Sequence, residues 1–258
     1  MDWPSTLSGL FVGLLVGMTG VGGGSLMAPI LVLLFGIAPV TAVGTDLWFA
    51  AATKVVGGVV HQNRGRVDWQ VVGRLGLGSV PASVVTLGWM HRTAMHHVTS
   101  GLTLKALGVV LILTAISLLF AQRIQAVGRT AYAQALIKRA QPIATVLAGA
   151  TIGVLVTLTS VGAGALGTAM LRYLYPMRMK PTVLVATDIV HAIPLVIIAG
   201  SGYLLMGDVN LRLLAQLLLG SVPGIILGAY LSGHVPDRVL RSGIALALVA
   251  VSGKLLWS

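Results

Sequence analysis

The chain has 258 residues, 56% of them hydrophobic and 9% charged, with a mean hydropathy of +0.96. Soluble domains carry roughly 25% charged residues, so a soluble enzyme or binding module is excluded and a polytopic membrane protein is expected. The lack of cysteine excludes disulfides, Fe–S clusters and thiol catalysis. The net charge of +11 reads as basic loops on one membrane face, with no nucleic acid as partner.

Apolar stretches long enough to cross ~30 Å of hydrocarbon follow one another in two series. A glycine-broken segment covers 6–36, and spans near 40–61, 69–90 and 98–120 come after it. The first segment starts almost at Met1 and holds the glycine cluster, so it is read as part of the fold and not as a cleaved signal peptide. The basic linker 121–141, "AQRIQAVGRTAYAQALIKRAQ", is amphipathic and is expected at the membrane surface. A second broken segment, 142–172, opens a second series with spans 182–205, 211–231 and 238–257.

The two series share a pattern. "LGSVP" stands at Leu77–Pro81 and again at Leu219–Pro223, an offset of 142. The same offset carries "GTDL" at Gly44 onto "ATDI" at Ala186, and Pro39 onto Pro181. Upstream, "GLLVGMTGVGGG" from Gly13 overlays "GVLVTLTSVGAG" from Gly153 at an offset of 140. A duplication follows, with one repeat over 1–120 and the other over 142–258.

Each broken segment either crosses the membrane or dips in and returns. Cytoplasmic loops collect Lys and Arg. If both segments cross, the bases divide almost evenly and give no orientation. If both are re-entrant hairpins, only Arg92, Lys105, Arg212 and Lys254 lie on one face and twelve bases on the other, with Lys54 inside the membrane. Hairpins are therefore expected. Each repeat then has three crossings, an odd number, so the repeats are inverted, as in many secondary transporters. The expected fold is an all-α polytopic membrane protein of two inverted repeats, each a re-entrant hairpin plus three transmembrane helices. The linker is expected in the cytoplasm and both termini outside.

Breaking a helix inside lipid frees N–H and C=O groups, which is tolerated only within protein or beside a water-filled cavity. The glycines at 20 and 22–24 expose the N-terminal end of the hairpin's second helix, a natural anion site. Gly22, Gly23, Gly24 and Ser25 are the candidate anion-binding residues in the first hairpin; Ser160, Gly162, Ala163 and Gly164 are those in the second. Gly9, Gly13 and Gly17, spaced by four, read instead as close helix packing. Thr45 and Thr187, which precede the equivalent aspartates Asp46 and Asp188, are assigned to binding the anion together with the hairpin tips. An ionisable group inside a span is a functional candidate by default, so Asp46, Asp188 and His191 are assigned to coupling by a proton or sodium, against the alternative that the aspartates cap their helices. Lys54, the only base deep in a span, is assigned to the anion or to pairing with Asp46. His91, His96 and His97 read as a solvated loop. No Walker A loop, zincin pair or dinucleotide fingerprint is present, so neither a cofactor nor a resident metal is expected.

"GVGGGSLMAPILVLLFGIAPVTAVGTDL", followed by "GGVVHQNRGRVDW", resembles the sulfite exporter TauE/SafE family of membrane permeases. The family's motif residues fall on Gly20, Gly22, Gly23, Gly24 and Pro29, then Pro39, Ala42, Gly44 and Thr45, then His61, Gly65, Val67, Asp68 and Trp69. Asp46, matched by Asp188, stands where members of that family often have a neutral polar residue. The resemblance implies a permease of the bacterial inner membrane for a small anion such as sulfite, a sulfonate or thiosulfate, secondary and cation-coupled. A homodimer is compatible with it. A cation or transition-metal transporter using Asp46, Asp188, His191 and methionines is the alternative; an intramembrane enzyme built on Ser25 or Ser160 lacks a matching Ser/His pair.

Overall fold

The computed structural model describes residues 3–19, 26–61, 67–93, 96–128, 130–231 and 237–257. Every regular element among them is a helix. In chain order these are α1 (Trp3–Thr19), α2 (Met27–Leu33), α3 (Pro39–His61), α4 (Trp69–Thr93), α5 (His96–Leu119) and α6 (Ala121–Gly128). Then come α7 (Ala131–Thr159), α8 (Ala165–Leu174), α9 (Pro181–Leu205), α10 (Leu211–Leu231) and α11 (Asp237–Trp257). The tip of the first glycine-broken segment, residues 20–25, lies outside the described residues.

Among the described residues, four helical stretches are long and apolar enough to span a bilayer unaided: Trp69–Thr93, Ala140–Thr159, Pro181–Leu205 and Leu211–Leu231. A fifth, Thr103–Leu119, bends by 71° into α6. Large apolar side chains such as Leu77, Val85, Ile143 and Leu246 point outward, each about two-thirds exposed or more. In water such a surface would be an aggregation liability; against acyl chains it is the matching solvent. The chain is a multi-pass membrane protein. The basic linker is divided between two helices: α6 packs on α8, and residues 131–141 continue into α7 through Pro142.

Lipid tails are as apolar as leucine, so helices in a bilayer associate through close packing rather than through the hydrophobic effect. Glycine supplies the closeness here. Gly9, Gly13 and Gly17 on α1 lie directly on the backbone of Leu217, Ser221 and Ile225 on α10. From the other side, Gly220, Gly224 and Gly228 lie on Thr6, Leu10 and Leu14. A Cβ at any of them would strike main-chain atoms. α4 and α7 repeat the arrangement, with Gly149 and Gly153 on Leu75 and Ser79, and Gly78 on Val146. The repeated LGSVP motif is explained by this: its glycine is a contact point in α4 and again in α10, and its proline lies inside both helices.

Two ends of the molecule are fixed by polar contacts. At the linker end, Gln141 donates to the carbonyl of Leu174 at 2.6 Å, and the hydroxyls of Thr145 and Tyr175 meet at 2.8 Å. The chain that leaves this end along α7 thus returns to it along α8. Arg178 reaches across to Asp68 at 2.8 Å and to Gln70 at 2.9 Å at the same end. At the opposite end, Gly44 lies on the carbonyl of Asp208, and the Asn210 amide donates to Thr45. α3 therefore starts where α9 finishes, and the two run antiparallel through the centre, between flanking pairs α1–α10 and α4–α7.

Because the protein has no cysteine, single cysteines report faces cleanly. Ala38→Cys, at the start of α3, and Met177→Cys, at the linker end, are expected to react with a membrane-impermeant maleimide from opposite faces in oriented vesicles. Reaction of both from one face would contradict the antiparallel arrangement.

Candidate functional site

α3 and α9 carry the buried ionisable side chains, and antiparallel packing distributes them along the molecule. Asp46 on α3 is fully buried; Lys54 on α3 and Asp188 on α9 are each 3% exposed. Asp46 and Lys54 are eight residues apart, about 12 Å of helix at 1.5 Å per residue. Lys54 is thus placed beside the first half of α9, where its charge acts on Asp188 and His191, and not beside Asp46. No salt-bridge contact is closed between Lys54 and Asp188 among the described residues.

The α7–α8 turn lies along this pair of helices and meets its charges in order. Ser160 is nearest Asp46; Lys54 Nζ donates to the carbonyl of Ala163 at 3.1 Å; the Asp188 carboxylate is seated directly against Gly167, where any side chain would collide with it. The turn's shape follows from its residues. Gly162 and Gly164 have φ of 122° and 146°, values that L side chains rarely adopt, and Ser160 has φ of 59°. A non-glycine residue in the left-handed region costs about 1–3 kcal/mol and persists only where its surroundings enforce it. No side chain caps the N-terminus of α8, and the Gly167 amide bonds the carbonyl of Gly162 at 3.0 Å; the contacts of Ala163 with Lys54 and of Gly167 with Asp188 put this positive end of the helix dipole beside the pair.

Several polar atoms here are buried without a hydrogen bond among the described residues: both carboxylate oxygens of Asp46, Oδ1 of Asp188, Oγ of Ser160 and Nδ1 of His191. The Ser160 hydroxyl and the Ala28 amide are within interaction range of Asp46, yet neither closes a bond of normal geometry. His191 Nε2 meets Ser79 Oγ on α4 at 2.8 Å. Native interiors seldom leave buried polar atoms unpaired, and such atoms mark places where a water, ion or solute belongs.

Of the sequence candidates, Lys54, Ser160, Gly162, Ala163, Gly164, Asp188 and His191 gather around this turn, and Asp46 sits at its upper edge. Gly22, Gly23, Gly24 and Ser25 lie outside the described residues. Thr45 and Thr187 are placed differently. The Thr45 hydroxyl accepts the Asn210 amide at 3.0 Å, and the Thr187 hydroxyl accepts the Asp68 amide at 3.1 Å. Asp68 and Asn210 in turn cap α4 and α10 through the amides of Val71 and Leu213. All six positions are paired at the 142 offset. The threonines are joints between the halves, and Thr187 spends its own proton on the carbonyl of Val183. Sequence reading missed Ser79 as the partner of His191, and Gly167 as the seat of Asp188. Ser79 lay in plain view inside LGSVP.

Thr45→Val and Thr187→Val each remove the acceptor of a part-buried amide bond, worth about 0.5–1.5 kcal/mol. Both variants are expected to melt earlier in detergent by similar amounts. A melting temperature unchanged in both would show that the joints carry no stability.

The profile of the sulfite exporter TauE/SafE family matches residues 5–255. The chain is 40% identical over 251 residues to the probable membrane transporter protein YjnA of Bacillus subtilis, with 96% of each chain covered. It is 28% identical over 249 residues to YdhB of the same organism, another probable membrane transporter protein, covering 95% of this chain and 96% of that one. No solved structure gives a significant match. A family profile that spans almost every described helix, together with a full-length relative at that identity, places this membrane protein in the sulfite exporter TauE/SafE family.

Proposed function

We propose that the protein is a secondary transporter that moves a small sulfur-containing anion, of the sulfite, sulfonate or thiosulfate class, across the bacterial inner membrane by alternating access, coupled to a proton or another cation. The solute crosses chemically unchanged. The observation that carries this reading is Lys54: an ammonium 3% exposed, in the middle of an apolar bundle, whose hydrogen bond to a described partner goes to a backbone carbonyl at a glycine-built turn. An ammonium has three donors. A small oxyanion supplies acceptors for the other two and meets the uncapped first turn of α8 on its other side.

Asp188 is the resident counter-charge in this arrangement, and an anion arriving at Lys54 takes over part of its role. The first hairpin, with Gly22, Gly23, Gly24 and Ser25 at the positions equivalent to 162–165, is assigned the matching half of the site. Antiparallel equivalents (α3 against α9) and reciprocal glycine contacts support two inverted repeats, on which alternating access is the rocking of one repeat against the other. The distribution of basic residues supports a cytoplasmic linker and outward-facing termini.

Proteoliposomes assayed over sulfite, thiosulfate, sulfoacetate and taurine test the reading. At least one of these is expected to be taken up by the wild type. Lys54→Ala removes a charged hydrogen bond worth about 1.5–3 kcal/mol, so the apparent KM is expected to rise by roughly 10- to 100-fold, with partial recovery in Lys54→Arg. Divalent metals should leave the flux unchanged. Uptake of a metal ion in place of any of the four anions would favour the cation alternative.

A further inference from the structure

Asp46 and Asp188 occupy equivalent positions, and both face the second helix of their own hairpin: Asp46 by Ala28, Asp188 by Gly167. Their electrostatic surroundings differ. The charge that serves Asp188 is Lys54. Moving Lys54 by the 142 offset gives Val196, so the second half supplies no corresponding base for Asp46. His191 is likewise unmatched, because its equivalent is Phe49. Asp46 is the more deeply buried of the two, and both of its oxygens lack a hydrogen bond among the described residues.

We infer that Asp46 is the proton-binding site of this transporter, with the Ser160 hydroxyl beside it, and that Asp188 is the fixed counter-charge of Lys54. This rests on the transporter reading above. A carboxylate removed from water and left unpaired is strongly disfavoured, and it neutralises itself or captures a cation. Among the described residues, the Ser160 hydroxyl and the Ala28 amide lie near Asp46, and both are able to donate. A metal cation needs a cage of oxygen acceptors, whereas a proton needs one carboxylate oxygen. The helices packed on α3 bring few other titratable groups: Asp188, His191 and Tyr203 on α9, His96, His97 and Lys105 on α5, Arg212 and Tyr230 on α10, and none on α1 or α2. α3 itself adds Lys54 and His61.

The cycle balances simply. Asp46 takes one proton from water on the side to which the halves are open, crosses the occluded stage as a neutral carboxyl, and releases that proton on the other side. Ser160 belongs to the second hairpin and Asp46 to the first repeat, so their contact is made and broken as the repeats move.

The test is infrared spectroscopy of the whole protein in lipid nanodiscs at neutral pH, combined with uptake of radiolabelled sulfite driven by an imposed pH gradient. A carbonyl band of a protonated carboxyl, shifted in D2O, is expected in the wild type. It should be lost in Asp46→Asn, kept in Asp188→Asn and displaced in frequency in Asp46→Glu. The glutamate variant decides the matter if the asparagine variant does not fold. Gradient-driven accumulation of sulfite should be lost in Asp46→Asn. A band that survives in Asp46→Asn, a band absent in sodium but present in potassium, or accumulation that persists in Asp46→Asn overturns the inference. If wild-type vesicles move no sulfite under any gradient, the sulfite reading falls instead, and the infrared arm still decides whether Asp46 holds a proton.

Discussion

A buried ammonium sets the terms for the rest of the molecule. Lys54 is buried within the bundle at 3% exposure, so its charge must be met inside the protein. A carbonyl inside a regular helix already accepts one N–H, whereas a carbonyl at a helix break keeps its full accepting capacity for a charge. The solution is to stop a helix there. α7 ends at Thr159, the chain turns through Gly162 and Gly164, and the carbonyl of Ala163 reaches Nζ. Glycine faces on α1, α4, α7 and α10 let the flanking helices close down to backbone contact.

The framework is symmetric and the site is not. Thr45 with Asn210 and Thr187 with Asp68 are the same joint built twice, one at each end. Each pair ties the start of one central helix to the loop before a helix of the other half. Lys54 and His191 have no counterparts, since Val196 and Phe49 stand in their places. Asp46 and Asp188 match at the 142 offset, yet of the two it is Asp188 on which the Lys54 charge acts. The proposed coupling of an anion to a proton calls for two different sites, and this asymmetry is the feature that proposal rests on.

Much of this was legible in the sequence, and what was not has a definite cause. Composition and apolar length pointed to an all-helical membrane protein. The spacing of Gly9, Gly13 and Gly17 pointed to helix packing, and that is where the structure puts them. Lys54, Asp46 and Asp188 stood out because charge is rare in an apolar chain. Which of them pair was not legible: Lys54 is nearer in sequence to Asp46 but faces Asp188, because α9 runs antiparallel to α3. Thr45 and Thr187 were read as solute ligands because they sit beside the aspartates. A hydroxyl's partner is decided by the loop that folds over it, and Asn210 is 165 residues away from Thr45. Ser79 escaped notice because a serine in an apolar helix signals nothing until a histidine meets it.

The claim at the centre is that an oxyanion binds between Lys54 and the α7–α8 turn. Selenite has the shape and charge of sulfite and scatters anomalously, and crystals grown with it and with ordinary methionine would show the anion without ambiguity. A selenium peak within hydrogen-bond reach of Lys54 Nζ and the first turn of α8, absent in Lys54→Ala, is the predicted result. A reproducible peak elsewhere in the bundle, unaffected by Lys54→Ala, would contradict the account.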